Sequence, residues 1–433
     1  MVMEARAREA DVVVVGAGIV GCATAYFLAR RGMRVVVERG RVPGEQSRKN
    51  WGFVRQQGRD PLEMPLMLEA NRMWRGLERE LGADIEWIQG GNLALAADET
   101  RMARFEQWLP VAREFGLPTR LLRAHELNAV VPGLAGGFVG GMHTPGDGHA
   151  DPEKTTDAFA RAALAHGASL RFACAVQRVT TRAGAVDGVV TEHGEIRAPT
   201  VVCAAGAWSS RLARTLGLAL PQRWVRGTVA RTTPVPAVTA CAVWGPGVAF
   251  RQRRDGSFTI AAGGALDHDV TLDSLRQLRF FLPNFWKNKA MFRFHIGRPL
   301  LASLAAALPG SAARRQPLVW DRDLEPPPNP AKVRRSLAEL QRLLPALPPL
   351  GIASRWAGYI DAAPDLVPVL GEAPQLRGFV FATGFSGHGF AMGPIAGRLV
   401  SELIVDGKPS LDISGFRFSR FAEGAIGRPR NVL

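Results

Sequence analysis

Three glycines and one acid near the N-terminus have the spacing of a dinucleotide-binding turn. Gly16, Gly18 and Gly21 follow an apolar run at 12–15 in G-x-G-x-x-G order, and Glu38 comes about 20 residues after Gly18. Glycines so spaced permit a tight turn, the approach of backbone to a pyrophosphate, and close helix–strand packing, while the acid accepts hydrogen bonds from a ribose. The pattern predicts a dinucleotide site, and the acid disfavours the 2′-phosphate of NADP.

A strand, a helix and a second strand must position these residues. Helical apolar spacing through Val20, Phe27 and Leu28 stops at Gly32, and the next apolar run, 35–37, ends in Glu38. The helix would point its free N–H groups and positive dipole end at the phosphates. Residues 12–29 carry no charge, so their length would also suit a membrane span or a signal peptide. The glycine spacing accounts for the stretch better.

The amino-acid composition limits the classes of protein to which the chain can belong. The chain has 433 residues, 47% of them hydrophobic and 21% charged, which suggests two or three globular domains. The net charge of +15 is not gathered in a block of basic residues, so nucleic-acid binding is not expected. A basic surface would favour anionic substrates or an anionic membrane. The four cysteines form no C-x-x-C pair, which predicts buried free thiols in a reducing cytoplasm.

Periodicity predicts further elements along the chain. Helices are expected at 62–81, 101–115, 153–166, 275–308, 331–344 and 395–405, and strands at 85–95, 170–190, 200–205, 225–265 and 379–382. Segments suited to a nucleotide domain lie at the start, near 170–210 and at the C-terminus. The order predicts a nucleotide domain assembled from separated segments, with a second domain inserted twice.

Three later stretches resemble motifs of the FAD-dependent D-amino acid oxidase superfamily, which includes glycine oxidase, sarcosine oxidases and D-amino acid dehydrogenases. They are VVCAAGAWS at 201–209, WAGYIDAAPDLVPVLG at 356–371 and ATGFSGHGFAMGPIAG at 382–397. The resemblance implies an α/β fold: a Rossmann-type FAD-binding domain of the glutathione-reductase type and a substrate domain built on a mixed β-sheet with helices. The expected boundaries are 1–60, 150–222 and 352–433 for the first domain, and 61–149 and 223–351 for the second.

FAD is therefore the expected cofactor. The position of the flavin-linking cysteine of monomeric sarcosine oxidase falls near 361–363, where no Cys stands, so FAD is expected to be noncovalent. His143, His149 and Asp151 lack the spacing of a metal site, and no metal is expected. The residues expected at the cofactor are Gly16, Gly18, Ile19, Val20, Gly21, Glu38, Arg39, Arg48, Asn50, Trp51, Gly52, Val176, Ala205, Gly206, Trp208, Gly358, Gly384, Ser386, Gly387, His388, Gly389 and Phe390.

The resemblance also implies which residues contact the substrate. In sarcosine oxidases, the segment similar to 47–57 supplies an arginine for the substrate carboxylate. The matching residue is Arg55, whose planar fork suits a carboxylate; the alternative is an arginine on a polar surface loop. Gln56 and Gln57 are candidates for pocket polarity. His388 either tunes the flavin or only bonds the turn.

The implied reaction oxidises the C–N bond of a D-amino acid or N-substituted amino acid by hydride transfer to flavin, and the imine is then hydrolysed. Two alternatives stay open: a 2-hydroxy acid or polyol-phosphate dehydrogenase, and the flavin subunit of a heteromeric sarcosine oxidase-like complex. Ala391 replaces a carboxylate-binding lysine of sarcosine oxidase, and no lysine stands at 261–264, where that enzyme has one for oxygen. These departures favour a dehydrogenase that passes electrons to a quinone or an electron-transfer protein.

Residues 278–301 mix aromatic and basic side chains. Such a segment would suit contact with an anionic membrane, which would make the protein cytoplasmic and peripheral to the inner face of the membrane. The alternative is an inserted helical pair that covers the substrate sheet with its aromatic residues in the core.

Overall fold

The computed structural model describes residues 9–38, 45–171, 173–263, 266–288, 292–315, 318 and 325–430. Its strands, in chain order, are β1 Val12–Val15, β2 Val35–Glu38, β3 Phe53–Val54, β4 Asn92–Ala96, β5 Arg120–Arg123, β6 Gly140–Thr144, β7 Gly148–His149, β8 Ser169–Arg171, β9 Val176–Arg182, β10 Ala185–Thr191, β11 Gly194–Arg197, β12 Thr200–Cys203, β13 Arg223–Thr232, β14 Ala242–Trp244, β15 Val248–Gln252, β16 Phe258–Ala262, β17 Leu266–Asp269, β18 Phe292–His295, β19 Ile352–Ala362, β20 Val369–Glu372 and β21 Phe379–Thr383.

The helices alternate with these strands. They are α1 Ile19–Arg30, α2 Glu45–Lys49, α3 Met64–Leu81, α4 Glu99–Glu114, α5 Leu127–Val130, α6 Pro152–Ala165, α7 Ser209–Thr215, α8 Leu272–Arg276, α9 Leu278–Asn288, α10 Arg298–Ala307, α11 Ala312–Arg315, α12 Pro330–Leu343 and α13 Gly389–Asp406.

The first sheet has the strand order β20-β21-β12-β1-β2-β8. Val12 of β1 lies between Val35 of β2 and Thr200 of β12, and all three strands are parallel. Their side chains are buried valines for the most part, as in strands covered on both faces. Helices α1, α6 and α13 cover one face, while the small sheet β11-β10-β9 contributes to the core on the other. The carboxyl end of β1, where ligands bind in such sheets, leads into Gly16.

The second sheet is mixed, with the order β18-β17-β13-β16-β15-β14-β4-β6-β5, and β19 pairs with β13 along most of its length. Helix α12 buries Val333, Leu340 and Leu343 against Phe250 and Ile260 on one face of this sheet. The other face meets the segment that follows α2. The predicted fold class is confirmed: a Rossmann-type sheet and a mixed sheet with helices. Strand β19, within 352–433, belongs to the second sheet.

Several predicted elements differ from those observed. Residues 275–308, predicted as helical, contain the strand β18, which pairs in parallel with β17. The predicted strand at 85–95 is a strand only from residue 92, where β4 begins, and Glu86 has φ +55°. Helix α13 begins at Gly389, six residues before the predicted start, although Gly393 and Pro394 disfavour helix. Tertiary packing of this buried turn overrides the local propensity.

Candidate functional site

The turn after β1 requires glycine at two positions. Gly16 has φ +114°, and a Cβ there would lie 2.3 Å from the Ala204 carbonyl oxygen. A Cβ on Gly21 would lie 1.8 Å from the Gly16 carbonyl oxygen. Backbone therefore approaches backbone at both positions, which accounts for the tight turn and the close helix packing expected of these glycines.

Gly18 caps α1, so Ile19 and Val20 begin the helix. The first N–H groups of a helix have no acceptor within it. The N–H of Ile19 donates to Ser47 Oγ at 2.8 Å. Ser47 therefore ties α2 to this helix end, which suits a phosphate by its geometry and dipole. The sequence pattern did not single out Ser47 because it is 28 residues from Ile19 along the chain.

Other predicted cofactor residues stabilise the loop after β2. Glu38 ends β2, but its side chain and the whole of Arg39 lie outside the described residues. Arg48 forms an ion pair with Glu153. The Asn50 side chain donates to the Ser47 carbonyl at 2.6 Å and accepts from the Gly52 N–H at 2.7 Å.

Gln46 connects two of the later motifs. Its Oε1 accepts from the Ala207 N–H at 2.8 Å, and its Nε2 donates to Asp361 Oδ1 at 3.1 Å. Asp361 also accepts from the Gly384 N–H at 2.9 Å. Burial raises the pKa of Asp361 to about 6 in spite of these donors. Gln46 and Asp361 thus join α2, the 201–209 motif and the last glycine loop, and neither was expected to do so.

The 201–209 motif follows the carboxyl end of β12. Ala205 precedes Gly206, which has φ +51°. Trp208 lies with its ring centroid 5.6 Å from that of Trp224, and its buried Nε1 has no hydrogen-bond partner among the described residues. Val176, which begins β9, is buried in the same apolar cluster as Val36 of β2. An unpaired indole N–H beside a nucleotide-type sheet is a donor available to a ligand.

The last glycine loop turns sharply before α13. Gly384, Ser386 and Gly387 all have positive φ, at +71°, +54° and +90°. Ser386 Oγ accepts from the Ala363 N–H at 3.0 Å, which fixes the strained residue. His388 caps the helix that starts at Gly389, so a second helix N-terminus opens at this loop. On the neighbouring side, Phe390 packs against Trp74 with ring centroids 4.9 Å apart.

A buried charge cluster lies beneath His388. Its Nδ1 is 3.0 Å from Oε1 of the fully buried Glu63. Burial lowers the pKa of His388 to about 4, so the ring is neutral near neutral pH. The pKa of Glu63 is held below its usual value because His388, Arg59 and Arg55 outweigh its desolvation. The carboxylate therefore accepts from Nδ1–H, which leaves Nε2 as the acceptor of the ring.

Arg55 is buried and forms no ion pair with a described carboxylate; its Nη1 donates to the Gln57 carbonyl. Its Cζ lies 5.6 Å from the centre of the Trp244 ring, which also contacts the Trp51 ring. Burial lowers the pKa of Arg55 to about 9, with Arg59 contributing. Arg55 is therefore a desolvated cation in an aromatic setting, and the surface-loop alternative is wrong.

Gln56 and Gln57 anchor this segment to the second sheet. Asp147 accepts from the Gln56 N–H at 2.8 Å and the Gln57 N–H at 3.1 Å. The Gln57 amide donates to the Asn92 and Met142 carbonyls, each at 3.0 Å. The Gln56 Nε2 also donates to Asp147 Oδ1 at 3.1 Å. Both glutamine side chains thus hold the segment, so they position Arg55 more than they offer polarity to a pocket.

The substrate-sheet residues at the site are small or apolar. Ala261 pairs with Val229 of β13 and Ala249 of β15. Gly358 of β19 faces α2, where a Cβ would lie 2.9 Å from the Lys49 Cβ. Ile360 of the same strand reaches the last glycine loop, since a Cβ on Gly387 would lie 3.6 Å from Ile360 Cγ2. β19 therefore runs along the site from α2 to the glycine loop.

These observations fit FAD. The glycine turn admits a pyrophosphate, two helix N-termini open at the site, and Trp208 keeps an unpaired donor. The described cysteines are buried and distributed through the cores. Among the described residues, no group of three or more His, Cys, Asp or Glu side chains is arranged to hold a metal ion.

Comparison with known proteins agrees with this geometry. The family described as FAD dependent oxidoreductase (DAO) matches residues 11–403. Human mitochondrial sarcosine dehydrogenase is 28% identical over 431 residues, which are 97% of this chain and 42% of that protein. Glycine oxidase from Geobacillus kaustophilus is 26% identical over 429 residues, which are 96% of this chain and 98% of that protein.

A solved structure has a closely similar fold. L-amino acid deaminase from Proteus myxofaciens, in complex with anthranilate, has a TM-score of 0.90 and 28% identity, covering 96% of this chain and 95% of that chain. By contrast, the chain spans about two fifths of the length of the human and mouse sarcosine dehydrogenases, 42% and 41%.

Proposed function

The chain belongs to the FAD dependent oxidoreductase (DAO) family, and on that premise we propose that it oxidises the C–N bond next to the carboxylate of an amino acid. Bound FAD supplies the electron acceptor for this chemistry. The observation that carries the proposal is Arg55, a buried guanidinium without a carboxylate partner among the described residues. A substrate carboxylate would provide the missing anion in bidentate geometry.

The other side chains position the substrate. Trp51 and Trp244 form apolar walls beside Arg55 and exclude water from the carboxylate pair. His388 stays neutral and presents Nε2 as an acceptor for the substrate amine, while Glu63 holds its ring by Nδ1–H. A base with a pKa of about 4 removes a proton from an ammonium poorly. The substrate therefore binds with its amine already neutral, and orientation supplies the main catalytic effect.

The names of similar proteins narrow the class of substrate that we propose. The relatives are named for L-amino acids, glycine and sarcosine. At Ala391, which lies beside the site, the Trp74 Nε1 donates to the backbone carbonyl at 2.9 Å, and the alanine side chain carries no charge. Because the lysine that helps to hold the carboxylate in sarcosine oxidase is replaced by alanine, we assign a substrate larger than sarcosine: an α-amino acid of either hand, or an N-substituted one.

The test is anaerobic reduction of the bound flavin, followed by its visible absorption. The panel contains L- and D-amino acids, N-methyl amino acids, the matching amines without a carboxylate, and 2-hydroxy acids. Loss of colour with amino acids but not with the matching amines supports the proposal. Loss of colour with hydroxy acids alone would exclude C–N oxidation, and no response to any compound would favour a subunit of a larger complex.

We propose that the electrons of the reduced flavin pass to an acceptor other than oxygen. Residues 261–263, which match the position of the lysine that serves oxygen in sarcosine oxidase, are Ala, Ala and Gly, and Gly264 lies outside the described residues. Admission of air to the reduced protein tests this: slow return of colour, with fast return after a quinone analogue or an electron-transfer protein is added, is the expected result. Fast return in air would instead identify an oxidase.

The described residues of 275–308 include an exposed apolar surface, called the insertion surface below. Its exposed members are Leu275, Leu278, Leu282, Phe294, Ile296, Leu301, Leu304 and Leu308. Exposed Arg279, Arg293 and Arg298 lie among them. Phe280 packs inward against Phe421, and Arg223 stacks on Phe281, so part of the aromatic residues covers the body of the protein.

We assign the insertion surface to contact with an anionic membrane, because apolar residues flanked by arginines suit the interface of such a bilayer. Among the described residues, no helix is long and apolar enough to cross a bilayer. Sedimentation with anionic vesicles is expected, and it should fall with Ile296→Ser and Leu301→Ser but not with Leu164→Ser, an exposed leucine elsewhere. Equal binding of all variants would exclude this role.

A further inference from the structure

A buried carboxylate joins the loops that surround the cofactor site. Asp361, near the end of β19, is 4% exposed. Its Oδ2 accepts from the Gly384 N–H at 2.9 Å, and its Oδ1 accepts from Gln46 Nε2 at 3.1 Å. Gln46 Oε1 in turn accepts from the Ala207 N–H at 2.8 Å. The carboxylate therefore contacts the last glycine loop directly and the 201–209 motif through one side chain.

The donors around this carboxylate are neutral. They are amide N–H groups of Gln46, Gly384 and Phe385. Among the described residues, no Lys, Arg or His side chain forms an ion pair with Asp361. Amide donors stabilise a carboxylate less than a cation does, and burial disfavours the charged form. Burial accordingly raises the pKa of Asp361 to about 6, so the side chain is ionised at neutral pH but close to protonation.

The charged and titratable side chains on the neighbouring elements have other partners. Arg211 lies 4.7 Å from the centre of the Trp224 ring. Arg223 lies 4.1 Å from the centre of the Phe281 ring. The groups to be considered are Lys49 on α2, which pairs with Glu325, Arg211 on α7, Arg223 on β13, Tyr359 on β19 and the neutral His388 before α13. A change of charge on the cofactor is therefore not neutralised by a cation bonded to Asp361.

Asp361 lies at the part of the cofactor site that faces the substrate. Its carbonyl accepts from the Ser386 N–H at 3.3 Å. Ile360, the preceding residue, lies against Gly387, where a Cβ would be 3.6 Å from Ile360 Cγ2. Gly387 precedes His388, and a substrate beside His388 must meet the reacting part of the cofactor. This placement rests on the proposed role of His388 in amino acid oxidation.

We propose that Asp361 takes up a proton when the bound FAD is reduced. Two electrons and one proton enter the flavin, so the cofactor site gains one negative charge, and a second proton from water forms an O–H bond on the Asp361 carboxylate. Asp361 itself is neither oxidised nor reduced, and reoxidation by the electron acceptor releases the proton. A negative charge close to a buried carboxylate favours its protonated form, because little solvent screens the repulsion.

The first test measures the midpoint potential of the bound FAD between about pH 5 and about pH 9. Dithionite reduces the flavin in the presence of an indicator dye. Below the pKa of about 6, Asp361 is neutral in both redox states, so the wild type and Asp361→Asn should have similar potentials. Above it, the ionised carboxylate disfavours the added electrons, and the potential of the wild type should fall increasingly below that of the variant.

The second test is infrared difference spectroscopy of the oxidised and reduced protein. Reduction should produce the carbonyl band of a protonated carboxyl group in the wild type. Asp361→Asn should lack this band. Glu372→Gln is the matched control, since it removes an exposed carboxylate from β20, and it should retain both the band and the pH profile of the potential.

A further variant keeps the carboxylate and changes only its surroundings. Gln46→Met removes the donor to Asp361 Oδ1, so the pKa of Asp361 should rise. The pH above which the potential falls more steeply should move up by about one unit, as loss of one hydrogen bond implies. The carboxyl band should also shift. This variant and the wild-type band test the role of Asp361 even if Asp361→Asn does not retain FAD.

Parallel pH profiles of the potential in the wild type and Asp361→Asn would overturn the proposal. Absence of a carboxyl band on reduction of the wild type, or a band unchanged in Gln46→Met, would do so as well. Dithionite replaces the substrate in every measurement. A failure of amino acids to reduce the flavin would therefore contradict the proposed function and leave these results unchanged.

Discussion

Buried arginines in this protein are of two kinds. Arg420 is paired with both oxygens of Asp365, at 2.8 and 3.1 Å, and its remaining N–H groups reach backbone carbonyls. Arg55 and Arg251 have no ion-pair partner among the described carboxylates. An unpaired buried charge is unfavourable. The paired arginine therefore stabilises the fold, whereas the unpaired arginines are suited to binding an anionic ligand.

We expect Arg55→Lys to raise the KM for an amino acid by about 10- to 100-fold, because an ammonium cannot replace the planar fork. The unfolding temperature should change little. Arg420→Lys is the matched control, and it should lower the unfolding temperature and leave KM unchanged. Steady-state kinetics with an artificial acceptor measure the first quantity. The same KM in the wild type and Arg55→Lys would remove Arg55 from the substrate site.

His388 makes the stability dependent on pH. Its pKa is about 4 in the folded protein against 6.5 as the usual value, so the unfolded chain binds the proton first as the pH falls. The contribution of the neutral ring is complete above the unfolded pKa and is lost as the pH falls from 6.5 towards 4. The buried Asp147 and Asp361 oppose this, since their raised pKa values make the folded state bind protons first.

The contribution of His388 to the pH dependence of stability can be measured by comparing the wild type with His388→Gln. Between about pH 6.5 and about pH 5, the free energy of unfolding of the wild type should fall by about 2 kcal/mol more than that of the variant. Urea denaturation with saturating FAD measures the free energy of unfolding of both proteins. Asp147 and Asp361 contribute equally to the two pH profiles and cancel in the difference. Parallel pH profiles would show that the folded His388 titrates normally.

At the scale of elements, α1 and α13 cross at two glycines. A Cβ on Gly397 would lie 2.6 Å from the Ala23 carbonyl carbon and the Thr24 nitrogen, and one on Gly393 would lie 2.9 Å from Ile19 Cγ1. The helices that begin at the glycine turn and at the last glycine loop are therefore in backbone contact. Their crossing fixes the positions of both N-termini at the cofactor site.

Gly397→Ala should separate these helices and cost about 2 kcal/mol in the free energy of unfolding, as overpacking of a core does. FAD affinity should fall as well, because Ile19 lies in the crossing. Gly76→Ala in α3 is the control: its Cβ would have open space, with the nearest atom 4.0 Å away, and helix propensity should then add up to about 1 kcal/mol. Equal effects of the two substitutions would argue against the crossing.

At the scale of the whole molecule, the cofactor site is made by two sheets that meet through α2 and the segment after it. Gln46 bonds to elements of both, and Gln57 anchors the segment to β4 and β6. We propose that the nucleotide domain consists of 1–60, 150–222 and 352–433, with β19 reaching into the second sheet. A ligand lying between them should stabilise both together.

Removal of FAD should therefore lower the unfolding temperature in a single transition, and FAD at hundredfold excess over its dissociation constant should restore about 3 kcal/mol. FMN, which lacks the adenosine part, should restore much less, because the glycine turn and α1 hold the pyrophosphate. Calorimetry of the two reconstituted samples measures the difference. Equal stabilisation by FMN would exclude a dinucleotide at Gly16 and Gly18.

The sequence by itself determined the parts of this protein that depend on local spacing. The glycine turn and the strand and helix on either side of it follow from neighbouring residues. The last glycine loop was recognised by resemblance. The side chain of Glu38 and all of Arg39 lie outside the described residues.

Only the tertiary structure decided which side chains meet. Ser47 on Ile19, Gln46 on Asp361, Glu63 on His388 and Arg251 on Trp51 join segments far apart in the chain. The periodicity of the sequence does not predict such pairs, because they depend on strand register and on burial. The same burial turned Arg55 from one basic residue among many into a desolvated cation. Parallel pairing with β17, far from any local signal, made β18 a strand within a segment of helical spacing.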